Sequence, residues 1–326
     1  MKMKPFHHVN AKSVEEVIQL LKMYGGKARV IAGGTDLIPV LKAEILPEYP
    51  EIIINIKTVP NLDYVIEDAE GLKIGALTKL EEIGESPIIK GKYRLLADAA
   101  NSVATPQIRN MGTIGGNICQ DVRCWYYRYP HNIGGRIQCY LKGGKKCYAL
   151  MGENRYHSIF GGYKGCVAVN ASDIAIALVA LNAKIKVAGS TGNRIIHAEE
   201  FFSSLRNILK PDEVVTEIQI PQPSSTAKQV YLKFRLREAI DFPIVSIASV
   251  IDMDGEVCKD ARIVLGAIAP TPIRAEKAEQ MIKGKVIDVA VAEKAADAAV
   301  EGAVPLGMNA YKVEIAKALV KRVLLS

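Results

Sequence analysis

The fold of this 326-residue chain is decided by a short glycine-rich stretch, IAGGTDL at residues 31–37. It follows a β-like run at 28–31, and that run follows a predicted helix that starts at Ser13 and stops before Gly25. A second glycine-rich stretch, NMGTIGGN, occupies residues 110–117. Glycines let backbone amides approach an anion without a clash from Cβ. Together the two stretches predict loops that grip a pyrophosphate from both sides, although either one alone is also typical of a plain loop.

Composition and charge exclude several other classes of protein. Neither glycine stretch has the GxGxxG spacing of a Rossmann turn or the lysine of a P-loop. The net charge of +7 is scattered and forms no basic helix or arm, so nucleic-acid binding is not indicated. No apolar run reaches the roughly 18–20 residues of a membrane span, and no apolar segment follows the first lysines. We therefore expect a cytoplasmic protein without a membrane anchor.

The last third of the chain has its own pattern of elements. The stretch PQPSST at 221–226 is typical of a linker. Beyond it, apolar alternation predicts separate strands at 256–258 and 261–268. Apolar residues at helical spacing then predict helices at 274–283, 286–300 and 309–324.

Residues 31–37 and 107–118 resemble the two flavin motifs of the FAD subunits of the xanthine dehydrogenase and carbon monoxide dehydrogenase family. The stretches LKIGALT at 72–78 and LGAIAPTP at 265–272 extend this resemblance over nearly the whole chain. It implies an α+β fold, with a two-part FAD-binding domain of the vanillyl-alcohol-oxidase (VAO/PCMH) type and a C-terminal α+β domain of the CO dehydrogenase flavoprotein type. The implied parts are residues 1–57, 58–220 and 221–326.

The resemblance also implies which residues hold FAD. The backbone from Ala32 to Asp36 would bind the pyrophosphate on one side, and the turn from Thr113 to Asn117 would form the other side. By matching position, the first group is Val30, Ile31, Ala32, Gly33, Gly34, Thr35, Asp36 and Leu37. The second group is Val103, Ala104, Ile108, Gly112, Thr113, Gly115, Gly116 and Asn117.

Two charged residues complete the implied flavin site. Asp173 resembles the family's acidic residue near the ribose and adenine, although its local sequence is equally typical of a helix start. Lys233 resembles a lysine that reaches the flavin from the C-terminal domain. A solvent-facing lysine on an edge strand would have the same local sequence.

Five of the six cysteines fall between residues 119 and 166, in a segment with little periodicity. In a large cytosolic chain such clustering indicates metal or redox chemistry rather than disulfides. The stretches DVRCWYY at 121–127 and GCVAV at 165–169 resemble the two ends of an insertion in the β subunit of 4-hydroxybenzoyl-CoA reductase. That resemblance implies a [4Fe–4S] cluster. The implied ligands are Cys124, Cys139, Cys147 and Cys166.

Other interpretations of the cysteines stay open. A structural zinc site uses four thiolates as well, but the usual paired CxxC knuckles are missing. The thiols could also be unrelated buried residues. Cys119 is ambiguous between the flavin and the cluster, and Cys258 is interpreted as a core residue. The five histidines show no metal spacing and are interpreted as structural or surface residues: His7, His8, His131, His157 and His197.

The resemblance implies an electron-transfer subunit in which no side chain acts as a general acid or base. Its partners would be a large molybdopterin subunit and a small subunit with two [2Fe–2S] clusters, in a dimer of heterotrimers. The insertion implies a 4-hydroxybenzoyl-CoA reductase-like complex with ferredoxin as electron donor. One alternative is an oxidative molybdenum hydroxylase acting on a purine, an aldehyde or another aromatic compound. A second alternative is a stand-alone flavin and iron–sulfur electron shuttle.

Overall fold

The computed structural model describes nearly all of the chain. The described residues are 3–131, 133, 137–162, 165–204 and 206–326. The insertion predicted at 119–166 therefore contains residues 132, 134–136, 163 and 164, which lie outside the described residues. All of the predicted cofactor residues lie within the described part.

A parallel sheet near the N-terminus carries the first glycine stretch. Its strands are β1 (His7–Asn10), β2 (Ala28–Ile31) and β3 (Ile52–Asn55), in the order β1-β3-β2. Helix α1 (Val14–Tyr24) starts at Ser13, whose side chain caps it, and ends at Gly25, where φ is +51°. Its apolar positions Val17 and Leu21 are buried against the strands. As predicted, strand β2 runs directly into the glycine stretch, which leads into helix α2 (Leu37–Lys42).

An antiparallel sheet forms the middle of the molecule. Its strands are β4 (Val65–Asp68), β5 (Gly71–Gly75), β6 (Lys184–Gly189), β7 (Gly192–His197) and β8 (Val214–Pro221), in the order β4-β5-β8-β6-β7. The accompanying helices are α3 (Leu80–Glu85), α4 (Pro87–Lys92), α5 (Arg94–Asn101), α6 (Pro106–Arg109), α7 (Ile114–Ile118), α8 (Asp173–Ala180) and α9 (Ala198–Phe201). Helix α8 is apolar except for its first residue, so it is buried along its whole length. This burial places the carboxylate of Asp173 inside the protein.

A second antiparallel sheet forms the C-terminal part. Its strands are β9 (Ala227–Phe234), β10 (Val245–Asp254), β11 (Val257–Gly266) and β12 (Ile273–Arg274), in the order β12-β11-β10-β9. The helices are α10 (Glu276–Ile282), α11 (Val289–Ala299) and α12 (Tyr311–Leu324). They pack on the sheet around one apolar core. The combination of sheets and helices confirms the predicted α+β class.

The strand predicted to break near residue 259 is continuous. Strand β11 pairs with β10 over its whole length, with a register shift between Asp252 and Met253. Asp252 faces Asp260 and Met253 faces Cys258, so Lys259 is the extra residue of a β-bulge. The bulge interrupts the apolar alternation without interrupting the strand, which explains why the sequence predicted two shorter strands.

The cysteine-rich insertion lies between α7 and α8. Its two ends are tied together by reciprocal backbone hydrogen bonds between Arg123 and Val169, at 2.8 and 3.0 Å. Between these ends the described residues form short 3₁₀ turns at Tyr140–Lys142 and Tyr148–Leu150. The insertion is therefore a closed loop whose shape depends on side-chain contacts. Within the described part of the chain, no helix is both long and apolar enough to cross a lipid bilayer.

Candidate cofactor site

The two glycine stretches meet in space. We call residues 32–36 the first glycine loop and residues 110–117 the second glycine loop. A Cβ atom added at Gly33 would lie 1.9 Å from the carbonyl oxygen of Met111, so only glycine allows this approach. Gly34 has a φ of +71°, in the left-handed region that favours glycine. The pairing of the loops that the sequence predicted is therefore present in the structure.

The first glycine loop presents unpaired backbone donors. Among the described residues, none accepts a hydrogen bond from the amides of Gly33, Gly34, Thr35 or Asp36. Consecutive free amides in a turn form a concave site for an anion. This loop therefore fits the pyrophosphate expected there.

The second glycine loop contributes in a different way. The amide of Gly115 donates to the carbonyl of Ala76 at 3.0 Å, and the amide of Gly116 donates to Thr113 Oγ1 at 3.2 Å. A Cβ at Gly115 would lie 2.8 Å from the same Ala76 oxygen. Gly115 and Gly116 thus supply a surface without side chains, whereas their amides hold the loop in place. Asn117 accepts a hydrogen bond from the hydroxyl of Ser172, which joins this loop to α8.

The remaining predicted flavin residues lie at the edges of these loops. Val30 and Ile31 end strand β2, and Leu37 starts helix α2. Val103 and Ala104 follow α5, where Ala104 has a positive φ of 43° and its carbonyl accepts a hydrogen bond from the amide of Ile240. The last members of the predicted set lie in α6, in the second glycine loop and in the first: Ile108, Gly112 and Ala32.

Asp36 joins the first glycine loop to the cysteine-rich insertion. Its carboxylate accepts hydrogen bonds from Arg123 at 2.7 Å, from Arg128 at 3.1 Å and from the amide of Asp121 at 3.0 Å. Burial raises the pKa of Asp36, but the two guanidinium groups and the amide outweigh this effect and lower the pKa to about 2. The sequence predicts that the backbone of this residue contacts the pyrophosphate, and its side chain is bound to the insertion.

We expect Asp36→Asn to lower the free energy of unfolding at pH 7 by about 2 kcal/mol, because the folded-state pKa lies nearly two units below the ordinary value. A depressed pKa stabilises the fold above pH 4, and this contribution is lost as the pH falls from about 4 to about 2. The difference between wild type and variant should therefore shrink over that range in urea unfolding. Asp68→Asn, at an exposed pair with Lys73, is the control and should change little. An Asp36→Asn variant as stable as wild type at pH 7 would show that the ion pairs of Asp36 with Arg123 and Arg128 do not stabilise the fold.

Asp173 and Lys233 are paired with each other. Lys233 Nζ lies 2.8 Å from Asp173 Oδ2, and both side chains are only 4% exposed. Lys233 also donates to the carbonyl of Ser102 at 3.0 Å, and the Tyr231 hydroxyl donates to Asp173 Oδ1. Burial and the neighbouring carboxylate raise the pKa of Tyr231 well above its ordinary value, which keeps this hydroxyl a donor. Asp173 and Lys233 therefore form one buried unit, and the predicted contacts of both residues with FAD stay predictions.

We expect Lys233→Met to destabilise the protein by about 2 kcal/mol. The buried carboxylate of Asp173 then loses its ammonium partner and keeps only the hydroxyl of Tyr231 as a side-chain donor. Urea unfolding of the FAD-free protein measures this. The matched control is Lys27→Met, in an exposed pair with Glu51, which should change the stability little. Adding Asp173→Asn to Lys233→Met should recover part of the loss. Equal losses in Lys233→Met and Lys27→Met would show that the pair is not a buried unit.

The four cysteines predicted as ligands line one small cavity, which we call the thiol cavity. Its cysteines are Cys124, Cys139, Cys147 and Cys166. Its other walls are apolar and aromatic side chains: Tyr126, Tyr127, Tyr140, Leu141 and Tyr148. None of the four is in a disulfide. Across the described residues, no group of three potential ligands is placed to hold one metal ion.

Burial changes the acidity of two thiols in the thiol cavity. It raises the pKa of Cys124 to about 12, with a smaller opposing effect from the backbone amides of Tyr127 and Tyr126. Burial likewise raises the pKa of Cys166, against a smaller effect from the backbone amide of Ala168. Cys124 and Cys166 are therefore protonated thiols at neutral pH when no metal is bound.

His157 lies beside the thiol cavity. The sequence predicts a structural or surface histidine here, and the structure shows a buried ring whose Nε2 lies 3.1 Å from the sulfur of Cys124. Burial lowers the pKa of His157 to about 4, with a further contribution from the charge of Lys312, so the ring is neutral at pH 7. No local signal indicates this position, because His157 is 33 residues from Cys124 and has no second ligand at metal spacing.

Cys119 lies outside the thiol cavity. It follows helix α7, packs against the central core and is not among the residues that line the thiol cavity. Burial raises its pKa to about 12. Cys258 is buried in strand β11, as expected of a core residue.

Two protein families match this chain, one in its N-terminal two thirds and one in its C-terminal part. Residues 4–223 match the family described as the FAD binding domain in molybdopterin dehydrogenase, and residues 230–326 match the CO dehydrogenase flavoprotein C-terminal domain. The chain belongs to the FAD-binding subunits of the molybdopterin dehydrogenases. FAD is accordingly the cofactor of this subunit, as the resemblance implied.

Individual relatives resemble this molybdopterin dehydrogenase subunit over its full length. The FAD-binding subunit of aldehyde oxidoreductase from Escherichia coli (strain K12) is 31% identical over 307 residues, which cover 91% of this chain and 90% of that subunit. The structure of carbon monoxide dehydrogenase from Hydrogenophaga pseudoflava matches with a TM-score of 0.80 and 28% identity, over 100% of this chain and 98% of that chain. Quinoline 2-oxidoreductase from Pseudomonas putida 86 matches with a TM-score of 0.77 and 26% identity, over 100% and 97%.

The predicted family is therefore confirmed, and these relatives refine the expectation within it. Their names describe oxidoreductases and dehydrogenases of aldehydes, carbon monoxide and a heteroaromatic compound. They do not indicate a particular closeness of this molybdopterin dehydrogenase subunit to 4-hydroxybenzoyl-CoA reductase.

Proposed function

We propose that this subunit serves electron transfer in an oxidative molybdenum enzyme, with FAD between its two glycine loops and one [4Fe–4S] cluster in the thiol cavity. The observation that carries the proposal is the thiol cavity itself. Four thiols that are far apart in sequence line one buried space, and Arg123, next to Cys124, is hydrogen-bonded to the first glycine loop. Arg123 thus connects the proposed FAD site with the proposed cluster site.

The first glycine loop would hold the FAD pyrophosphate with its free amides, and the second glycine loop would cover it from the other side. Asp36 keeps the first loop in place through Arg123 and Arg128, so the loop does not need to reorganise on binding. FAD supplies the ability to exchange electrons singly or in pairs. The protein's task is to bind and orient the cofactor.

The sequence spacing of the thiols favours a cluster over zinc. The paired CxxC knuckles that are usual in structural zinc sites are missing between residues 119 and 166. In a cubane cluster each of four thiolates binds a different iron, so four cysteines around one cavity match the ligand set.

The names of the relatives support the oxidative direction and a multi-subunit assembly. They are described as FAD-binding subunits or medium chains, of an aldehyde oxidoreductase and of carbon monoxide and glyceraldehyde dehydrogenases. We therefore propose a large molybdopterin subunit and a small [2Fe–2S] subunit as partners. The large subunit would select an aldehyde, a small carbonyl compound or an aromatic heterocycle as substrate.

Anaerobic purification of the native protein tests this proposal. We expect one FAD per chain, with about four iron and about four acid-labile sulfide bound to this chain, as a [4Fe–4S] cluster requires, in addition to those of the small [2Fe–2S] subunit. We also expect molybdenum in a co-purifying subunit. Zinc without sulfide would refute the cluster. A stable monomer without molybdenum on size exclusion would instead support the stand-alone electron shuttle.

The thiol cavity also supports a second candidate, a reductase that takes electrons from ferredoxin. An additional cluster suits a low-potential donor, and the net charge of +7 suits an acidic partner. Mixing the native complex with reduced ferredoxin distinguishes the two directions. Rapid, salt-sensitive reduction of the complex with turnover of 4-hydroxybenzoyl-CoA would favour the reductase, whereas dye-linked oxidation of aldehydes or heterocycles would favour the dehydrogenase.

A further inference from the structure

His157 is buried beside a proposed cluster ligand. Its side chain Nε2 lies 3.1 Å from Cys124 Sγ, a hydrogen-bond distance, and the residue is 2% exposed. The ring of Tyr126 lies beside the imidazole, with the ring centroids 6.2 Å apart. Within the described part of the chain, Nδ1 has no hydrogen-bond partner. The Cys124 sulfur is therefore the polar partner that this ring contacts.

The C-terminal domain holds His157 in this position. Lys312, on helix α12, is completely buried and donates to the carbonyls of His157 at 3.0 Å and Tyr156 at 3.3 Å. Asn309 is also completely buried and donates from Nδ2 to the carbonyls of His157 and Ser158, both at 3.1 Å. Two buried side chains thus fix the backbone from which the imidazole projects.

Cluster binding decides the direction of the hydrogen bond. A cysteine that binds iron does so as a thiolate and carries no proton. The hydrogen between Cys124 Sγ and His157 Nε2 must then belong to the nitrogen, so the imidazole donates to the sulfur. Hydrogen bonds to cluster sulfurs favour the more negative, reduced state and so raise the reduction potential.

We infer that His157 is a positioning residue of the thiol cavity, which donates an N–H···S hydrogen bond to Cys124 and raises the reduction potential of the cluster. This inference rests on the proposed [4Fe–4S] cluster. Through Asn309 and Lys312 it also makes the C-terminal domain part of the cluster environment, since helix α12 and the turn before it determine where the imidazole lies.

An EPR-monitored redox titration of the native complex tests the inference. His157→Leu removes the donor, and His157→Gln keeps an N–H donor near the position of Nε2. At the wild-type midpoint potential, we expect the ratio of reduced to oxidised cluster to fall about tenfold in His157→Leu, equal to about 59 mV for one electron. His157→Gln should stay within about threefold of wild type, as rescue by a donor predicts. His197→Leu, at an exposed histidine in β7, is the control and should not change the ratio.

The outcomes separate this inference from the proposed function. A wild-type protein without iron and sulfide would refute the cluster and with it the premise. Equal cluster content and equal potentials in wild type and His157→Leu would overturn the role of His157 alone. Loss of iron from a His157→Leu protein that still binds FAD would overturn it as well, because it would make His157 a ligand.

A measurement without substitution covers the case in which His157→Leu does not fold. In wild-type protein labelled with ¹⁵N-histidine, pulsed EPR of the reduced cluster should show one weak ¹⁵N coupling, as a hydrogen bond through sulfur predicts. A strong coupling would indicate direct ligation and overturn the inference. The absence of any coupling would also overturn it.

Discussion

Replacing Cys139 with serine will remove iron and acid-labile sulfide from the chain and leave FAD bound. Cys139 is buried and lines the thiol cavity with the other three cysteines. A serine hydroxyl does not ionise near neutral pH and is a poor ligand for iron, which prefers thiolate in such clusters. We expect the iron content of this chain, separated from the [2Fe–2S] subunit, to fall at least about tenfold, because metal binding requires the complete deprotonated ligand set. Iron and sulfide assays and the cluster EPR signal measure the loss.

Cys258→Ser is the matched control for the cluster prediction. Cys258 is completely buried, but it lies in strand β11 and its sulfur faces the carbonyl of Asp260 at 3.6 Å. The same chemical change there should leave iron, sulfide and FAD at wild-type levels. If Cys139→Ser kept the full iron content, Cys139 would not be a ligand. If both variants lost iron equally, the effect would come from general destabilisation.

Replacing Gly33 with alanine will abolish stable FAD binding. The added Cβ would lie 1.9 Å from the Met111 carbonyl oxygen and 2.7 Å from its carbon, and both are backbone atoms that cannot rotate away. The two glycine loops must then separate, which disrupts the site from both sides. We expect FAD affinity to fall at least about 100-fold, or about 3 kcal/mol. FAD content after desalting and the Kd from flavin fluorescence measure the effect.

Gly26→Ala is the control for the loop prediction. Gly26 lies at the end of helix α1, and an added Cβ there would meet no atom within 4 Å. This variant should bind FAD as wild type does. Far-UV circular dichroism should show that both glycine variants are folded. Wild-type FAD affinity in Gly33→Ala would show that the contact between the loops is not part of the flavin site.

The local pattern is sufficient to predict the loops, and the four cysteines chosen from the resemblance line one cavity. A glycine that must approach a backbone carbonyl leaves a visible mark in the sequence, as at Gly33, because no other residue fits. The four cysteines could be chosen because their residue type limits their chemistry and because they lie between two recognisable ends of an insertion. The packing of helix α8 was likewise readable from its continuous apolar sequence.

Contacts between distant segments were not readable in the same way. The partners of Asp36 are 85 to 92 residues away, Lys233 is 60 residues from Asp173, and Asn309 is 152 residues from His157. Each of these side chains has an ordinary local setting, so the sequence does not indicate its partner. Charge pairing and burial depend on which segments the fold brings together, and no local periodicity contains that information.

For this subunit, the sequence by itself determined the family, the FAD cofactor and the two glycine loops, since these depend on short stretches whose backbone geometry permits few residue types. Only the tertiary structure decided how those parts are connected. It tied the first glycine loop to the insertion through Asp36, paired Asp173 with Lys233 in the interior and placed His157 against Cys124. The physical reason is that a buried polar group must find a partner, and in a folded chain that partner comes from whichever segment packs beside it.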